Sequence, residues 1–250
     1  MRELRCRACP DLEIFDESVC VAHVTRLDAA YEYIYGKLVR GELEPGRKLS
    51  RRKLAGEIGV SPALVQHALN QLEKAGLVEC RPQSGTYVRT LTAEEFDNLC
   101  DLRELIEPYA AARAAERITE SQLEILADSC RRYAALQIRI SPEASPRELW
   151  QLHSEIIDVE RLFHGTILQA AGNPLVASLA QSLRVLAHVR QDFVLNSVTR
   201  SGHQATLDEH GQILAALQAR AADQARQHML EHLQNGREAF KQRLLLETNG

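Results

Sequence analysis

Glu160 and His164 stand four residues apart in the stretch ERLFHGTILQAAGNP, so a helix through this segment places a carboxylate and an imidazole on one face. His210 and His232 follow on two later segments with the same apolar periodicity. Three neutral imidazole nitrogens and one carboxylate oxygen make a donor set suited to zinc, manganese, nickel or iron. Such a set leaves one or more coordination positions for water or a ligand carboxylate. The competing reading is that these histidines are core or boundary residues of amphipathic helices. A hydrolytic centre would need a separate general base or nucleophile, and none stands out beside these motifs.

The elements that must carry these residues are helices. Thr92 with Glu95 is a capping box for a helix to about Arg117, and Thr119 with Gln122 is a second, for a helix to about Gln137. The segment 140–146 is a loop, after which Ser145-Pro146-Arg147-Glu148 opens a helix to Ala171, closed by Gly172. Asn173-Pro174 starts the next, to about Asn196. A loop over 199–202, a helix from Thr206 to Ala219 and a last one from Ala221 to Glu247 complete the chain. Six or so helices around one core predict an antiparallel bundle over residues 91–250.

Ahead of it, residues 49–89 read as two helices joined by a glycine turn and followed by a short hairpin. Ser50 and Gly59 bracket a helix from Arg51 to Ile58, and Ser61-Pro62 opens a second, to Lys74. Leu64, Val65, Ala68, Leu69 and Leu72 face inward on the second helix, which leaves Ala63, Gln66, His67 and Asn70 outward. Runs at 77–79 and 86–88 are strand-like around the turn Arg81-Pro82-Gln83-Ser84-Gly85. This order is a winged helix-turn-helix, and it predicts binding to a double-stranded DNA operator.

Charge divides along the same line. The net charge is −4, yet residues 24–90 carry 11 Lys and Arg against 7 Asp and Glu, while residues 91–250 carry 16 against 22. Phosphate attraction therefore belongs to the winged helix. No long apolar run or signal-peptide pattern occurs, so the expectation is a soluble cytoplasmic protein with no membrane partner. The six cysteines are read as thiols. Residues 1–23 form an extension in which Cys6-x2-Cys9 and Cys20-x2-His23 have the ligand types of a small zinc knuckle. The alternatives there are a disordered extension, or a translation start near Val24.

Two sets of motifs carry a family resemblance. AYEYIYGKLVRGELEPGRKLS, LAGEIGVS, ALNQLEKAGLVE and SGTYV resemble the winged helix of the GntR transcriptional regulators. DLRELIEPYAAAR, ERLFHGTILQAAGNPLVASL, DEHGQILAAL and HMLEHL resemble the FadR-type C-terminal ligand-binding domain, called FCD. The resemblance implies a homodimeric, ligand-responsive regulator, most members being repressors released by a metabolite. It also implies a divalent metal held by Glu160, His164, His210 and His232 that anchors a small carboxylate effector. Glu160 stands where the family usually has Asp, which leaves metal affinity and preference open. Arg103, Asn173 and Arg190 are the candidate effector contacts; Arg103 has an ion pair with Glu107 as its alternative, and Asn173 a helix cap. A metal-free pocket for a larger acyl-type effector is the rival, and a metal-dependent hydrolase the remoter one.

On the DNA side the resemblance assigns a reading role to Arg52 and a minor-groove role to the wing glycine, Gly85. The two recognition-helix arginines of the family are absent, with Pro62 and Gln66 in their places and His67 next to them. Gln pairs best with adenine, so the operator is expected to depart from the usual G-rich half-site. Lys48, Arg51, Arg52 and Lys53 are expected to include phosphate contacts, and Ser61 starts the DNA-facing helix.

Overall fold

The computed structural model describes residues 17–39, 42–43, 45–141, 143–189 and 200–248. Helix α1 (Glu17–Val39) leads through a turn to β1 (Lys48–Leu49). Its start lies ahead of the boundary expected after residue 23, so Cys20 and His23 belong to a helical segment whose side chains are outside the described part; Cys6 and Cys9 also lie outside it. Cys80, Cys100 and Cys130 are free thiols.

Helices α2 (Arg51–Ile58) and α3 (Pro62–Lys74) form as their caps dictate. Ser50 Oγ accepts from Lys53 N at 3.3 Å and Ser61 Oγ from Leu64 N at 3.3 Å, while Gly59 closes α2 in the left-handed region. Strands β2 (Val78–Arg81) and β3 (Gly85–Val88) pair antiparallel with Val78 opposite Val88. The wing turn closes through Ser84 N donating to Arg81 O at 3.0 Å, with Pro82 in its second position and Gln83 at φ 59° in its third. β1 adds a third strand beside β3, Lys48 opposite Tyr87. Two residues are too few to show alternation, and only the pairing defines this strand. Ile34, Leu38, Val65, Ala68, Leu69, Leu72 and Val88 make the buried core.

The bundle comprises α4 (Ala93–Arg117), α5 (Glu120–Ile138), α6 (Pro146–Ala170), α7 (Pro174–Val189), α8 (Arg200–Gln218) and α9 (Ala222–Thr248). Thr92, Thr119 and Ser145 each complete a reciprocal capping box, with Glu95, Gln122 and Glu148. α6 runs unbroken. The expected end of α7 near Asn196 falls in 190–199, outside the described residues. α8 differs from expectation, because the segment 200–205, read as loop and entry, is helical. Ser201 and Gly202 are weak helix formers, but contacts with α5 hold this turn: Tyr133 Oη lies 2.7 Å from His203 Nδ1, and Gln137 Nε2 donates to Gln204 Oε1 at 3.0 Å. Among the described residues no helix is long and apolar enough to cross a membrane.

Gly172 closes α6 at φ +67°, and a Cβ there would come 2.5 Å from Arg117 Nη1. Gly172→Ala is expected to destabilise the fold by about 1–2 kcal/mol, chiefly through the left-handed backbone, read as a lower urea midpoint at unchanged slope. The winged helix and bundle meet where Ile157 of α6 enters the winged-helix core and Leu186 of α7 packs against it.

Candidate metal centre

The bundle core brings four predicted residues together. Glu160 and His164 project from one face of α6, His210 from α8 and His232 from α9, and one ligand atom from each lies within 4.8 Å of all the others. His164 Nε2 is 3.5 Å from Glu160 Oε2, and His210 Nε2 is 3.5 Å from Glu160 Oε1. Both imidazoles are 1% exposed. Phe163 stacks on His210 at 4.1 Å and an interplanar angle of 12°, which fixes the ring from one side.

Two further carboxylates lie behind the imidazoles, and one of them hydrogen-bonds its ring. His232 Nδ1 donates to Glu209 Oε2 at 2.7 Å, and Asn235 Nδ2 holds the other oxygen at 2.7 Å. That bond engages Nδ1, so Nε2 is the atom this ring has to offer a cation. Behind His164 lies Glu107 of α4, 1% exposed, with Oε2 3.4 Å from His164 Nδ1 but outside hydrogen-bonding geometry. Glu107 accepts from Arg103 Nε at 2.7 Å and from Arg184 Nη1 at 2.8 Å. Glu209→Ala is expected to lower metal affinity about 10- to 100-fold by freeing the His232 ring, measured by chelator competition.

Burial decides the protonation states of His210 and His164. Loss of hydration pushes the His210 imidazole down to about 3 and lowers His164, with Arg184 adding to the effect on His164. Burial works against the charge of Glu160, yet the surrounding histidines outweigh it and hold the carboxyl well below its usual range. Arg103 and Arg184 do the same for Glu107. Neutral imidazoles and an ionised carboxylate are the forms that bind a cation.

The polar atoms fit a metal on a separate ground. Glu160 Oε1, His164 Nδ1, His164 Nε2 and His210 Nε2 are buried without a hydrogen-bond partner. Each such atom costs about 1–3 kcal/mol in a dry interior. Three of the four point into the same small space, where one cation would satisfy them together.

Two family models match the chain: the FCD domain over residues 98–235, and the bacterial regulatory proteins of the gntR family over residues 27–88. The chain is a GntR-family transcriptional regulator of the FCD type. It is 28% identical to the HTH-type transcriptional repressor RspR of Escherichia coli over 85% of this chain and 87% of that one. With the HTH-type transcriptional regulator LutR of Bacillus subtilis it shares 28% identity over 78% of this chain and 92% of that one. Its fold matches that of Escherichia coli McbR/YncC with a TM-score of 0.76 at 22% identity, covering 87% and 98% of the two chains. A GntR regulator from a Rhodococcus species gives 0.68 at 18% identity, covering 86% and 96%. The regulator is thus a DNA-binding protein with a winged helix-turn-helix before an all-helical FCD domain.

The other expected site residues are placed variously. Arg103 is engaged by Glu107, as its i+4 spacing allowed. Asn173 caps α7, its Oδ1 accepting from Leu175 N at 3.2 Å and Val176 N at 3.3 Å. Arg190 lies outside the described residues. His228 pairs at 3.4 Å with Glu231 and stays out of the cluster. Arg184, Glu107 as a partner of His164, and Glu209 were missed. Arg184 did carry a signal, an arginine between Ala180 and Ala187 on the buried face of α7. On the winged helix, Arg51, Arg52, Ser61 and His67 are exposed, and Lys48 Nζ sits 5.9 Å over the Tyr87 ring beside Gly85.

Proposed function

We propose that this regulator binds a palindromic operator as a homodimer through α3 and the wing, and that a small carboxylate effector controls that binding from the FCD core. Glu160, His164, His210 and His232 hold a divalent cation, with zinc, manganese, nickel and iron all compatible with the donor set. The observation that carries this reading is the convergence of four ligand atoms within 4.8 Å, several of them buried and unsatisfied. When bound, the cation supplies a coordination position for a carboxylate oxygen. Charge points the same way. Arg103 and Arg184 balance Glu107 and Glu160, and Glu209 offsets half of a divalent cation, so the loaded site carries a positive excess that an anion neutralises. Effector binding then shifts the population between arrangements that hold the two winged helices at operator-compatible and incompatible spacings.

A thermal-shift screen of small carboxylates with added zinc, manganese or nickel tests the reading. Stabilisation by a carboxylate only when metal is present supports it, and metal-independent stabilisation by a longer acyl compound favours the rival pocket. On the DNA side, Arg52→Ala is expected to weaken operator binding about 5- to 150-fold in a gel shift, the value of one good base contact. Unchanged affinity would remove Arg52 from the interface.

A further inference from the structure

Gln66 occupies the position on α3 where the family resemblance places an arginine, but its amide is not free to act alone. Its Oε1 accepts from Arg51 Nη1 at 2.8 Å, and its Nε2 donates to Asn70 Oδ1 at 2.7 Å. The chain Arg51, Gln66, Asn70 therefore runs along the exposed face of α3 and brings a guanidinium from α2 onto it. Gln66 sits on the second turn after the Ser61 cap, and the N-terminal part of a recognition helix is the part that reaches base edges. Two of the neighbouring cations are directed elsewhere, whereas Arg52 is exposed beside Arg51 and keeps the separate reading role tested above. Lys53 leans to Glu57 at 4.0 Å, while Arg81 is paired with Glu79 and lies 4.3 Å over the Tyr87 ring in the wing.

We propose that Arg51 is a guanine-reading residue of this surface in addition to Arg52, with Gln66 and Asn70 as positioning residues that hold its guanidinium in the major groove. A guanidinium has five N–H donors in a planar fork, and the bond to Gln66 uses one of them. The rest suffice for the two parallel bonds to O6 and N7 of guanine. Gln66 and Asn70 fix the plane of that fork before DNA arrives, so less side-chain freedom is lost on binding. In this arrangement the arginine missing from α3 is supplied from α2, and Gln66 acts through Arg51. The inference rests on the operator-binding reading of α3 and adds the base and the residue that reads it.

The test uses the full-length protein. An operator is selected from a random-sequence duplex library, and wild type, Arg51→Ala, Arg51→Lys and Gln66→Ala are titrated against every single-base-pair variant of its half-site at several salt concentrations. The expected result is one G·C pair at which wild type discriminates about 5- to 150-fold. Arg51→Ala should lose discrimination at that pair and keep it at the others. Arg51→Lys should keep the salt dependence but lose most of that discrimination, since an ammonium lacks the fork. Gln66→Ala should reduce discrimination at the same pair. The proposal is overturned if Arg51→Ala weakens all variants uniformly and lowers the salt slope by about one, the signature of a phosphate contact. It is equally overturned if Gln66→Ala relaxes an A·T pair that Arg51→Ala leaves untouched. Failure of wild type to select any sequence would instead overturn the operator-binding reading, and this inference with it.

Discussion

His210→Ala protein is expected to be isolated without stoichiometric metal, whereas wild type carries about one divalent ion per chain. His210 is 1% exposed, and its Nε2 is one of the unsatisfied atoms facing Glu160. The stacked Phe163 ring holds this imidazole in place from one side. Structural zinc sites bind with roughly 10–16 kcal/mol shared among four ligands, so loss of one ligand lowers affinity by about 100-fold or more. The effect extends to stability. Metal at 100 times its dissociation constant stabilises the fold by about 2.7 kcal/mol, equivalent to a shift of roughly 5–10 °C for a chain of this size. Chelator should therefore lower the melting temperature of wild type and leave His210→Ala unmoved. His228→Ala is the control, since His228 shares α9 with His232 yet pairs with Glu231 outside the cluster. Metal-free wild type, or full metal content in His210→Ala, would refute the site.

What could be read from the sequence was what the chain encodes locally. The capping boxes at Thr92 and Thr119, the Ser61-Pro62 helix start and the Gly172 closure each lie within a few residues of the ends they set, and α2 to α6 followed them closely. β1 and the first turn of α8 went unread because partners distant in sequence hold them, Tyr87 for the one and Tyr133 and Gln137 for the other. The same distinction runs through the site. Glu160 and His164 are legible as an i, i+4 pair and His210 and His232 as imidazoles on later helices, and the family resemblance joined the four into one ligand set. Nothing local marks Glu107 as the partner of Arg184, 77 residues away, or of His164. Arg103 could be read as an effector contact or as an ion pair; the structure shows the ion pair, and Arg184 is a further buried cation whose charge acts on His164 and His210.

Glu107→Ala is expected to be among the most destabilising single changes in the FCD core. Glu107 is the carboxylate on which two guanidinium groups converge, Arg184 at 2.8 Å with its side chain 9% exposed and Arg103 at 2.7 Å with 15%. Removing it strands Arg184 in the interior, and an uncompensated buried charge costs about 3–5 kcal/mol. Urea unfolding should show that loss, and the double variant Glu107→Met, Arg184→Met should recover most of it, because well-packed apolar groups commonly replace a buried pair without penalty. Stability alone therefore does not explain why the core keeps these charges. Metal affinity separates the two roles: if Glu107 also orients His164, the double variant will remain folded yet bind metal about 10- to 100-fold more weakly than wild type. Full metal affinity in a stable double variant would reduce the Glu107 cluster to a structural ion pair, leaving His164 to be positioned by packing on α6 alone.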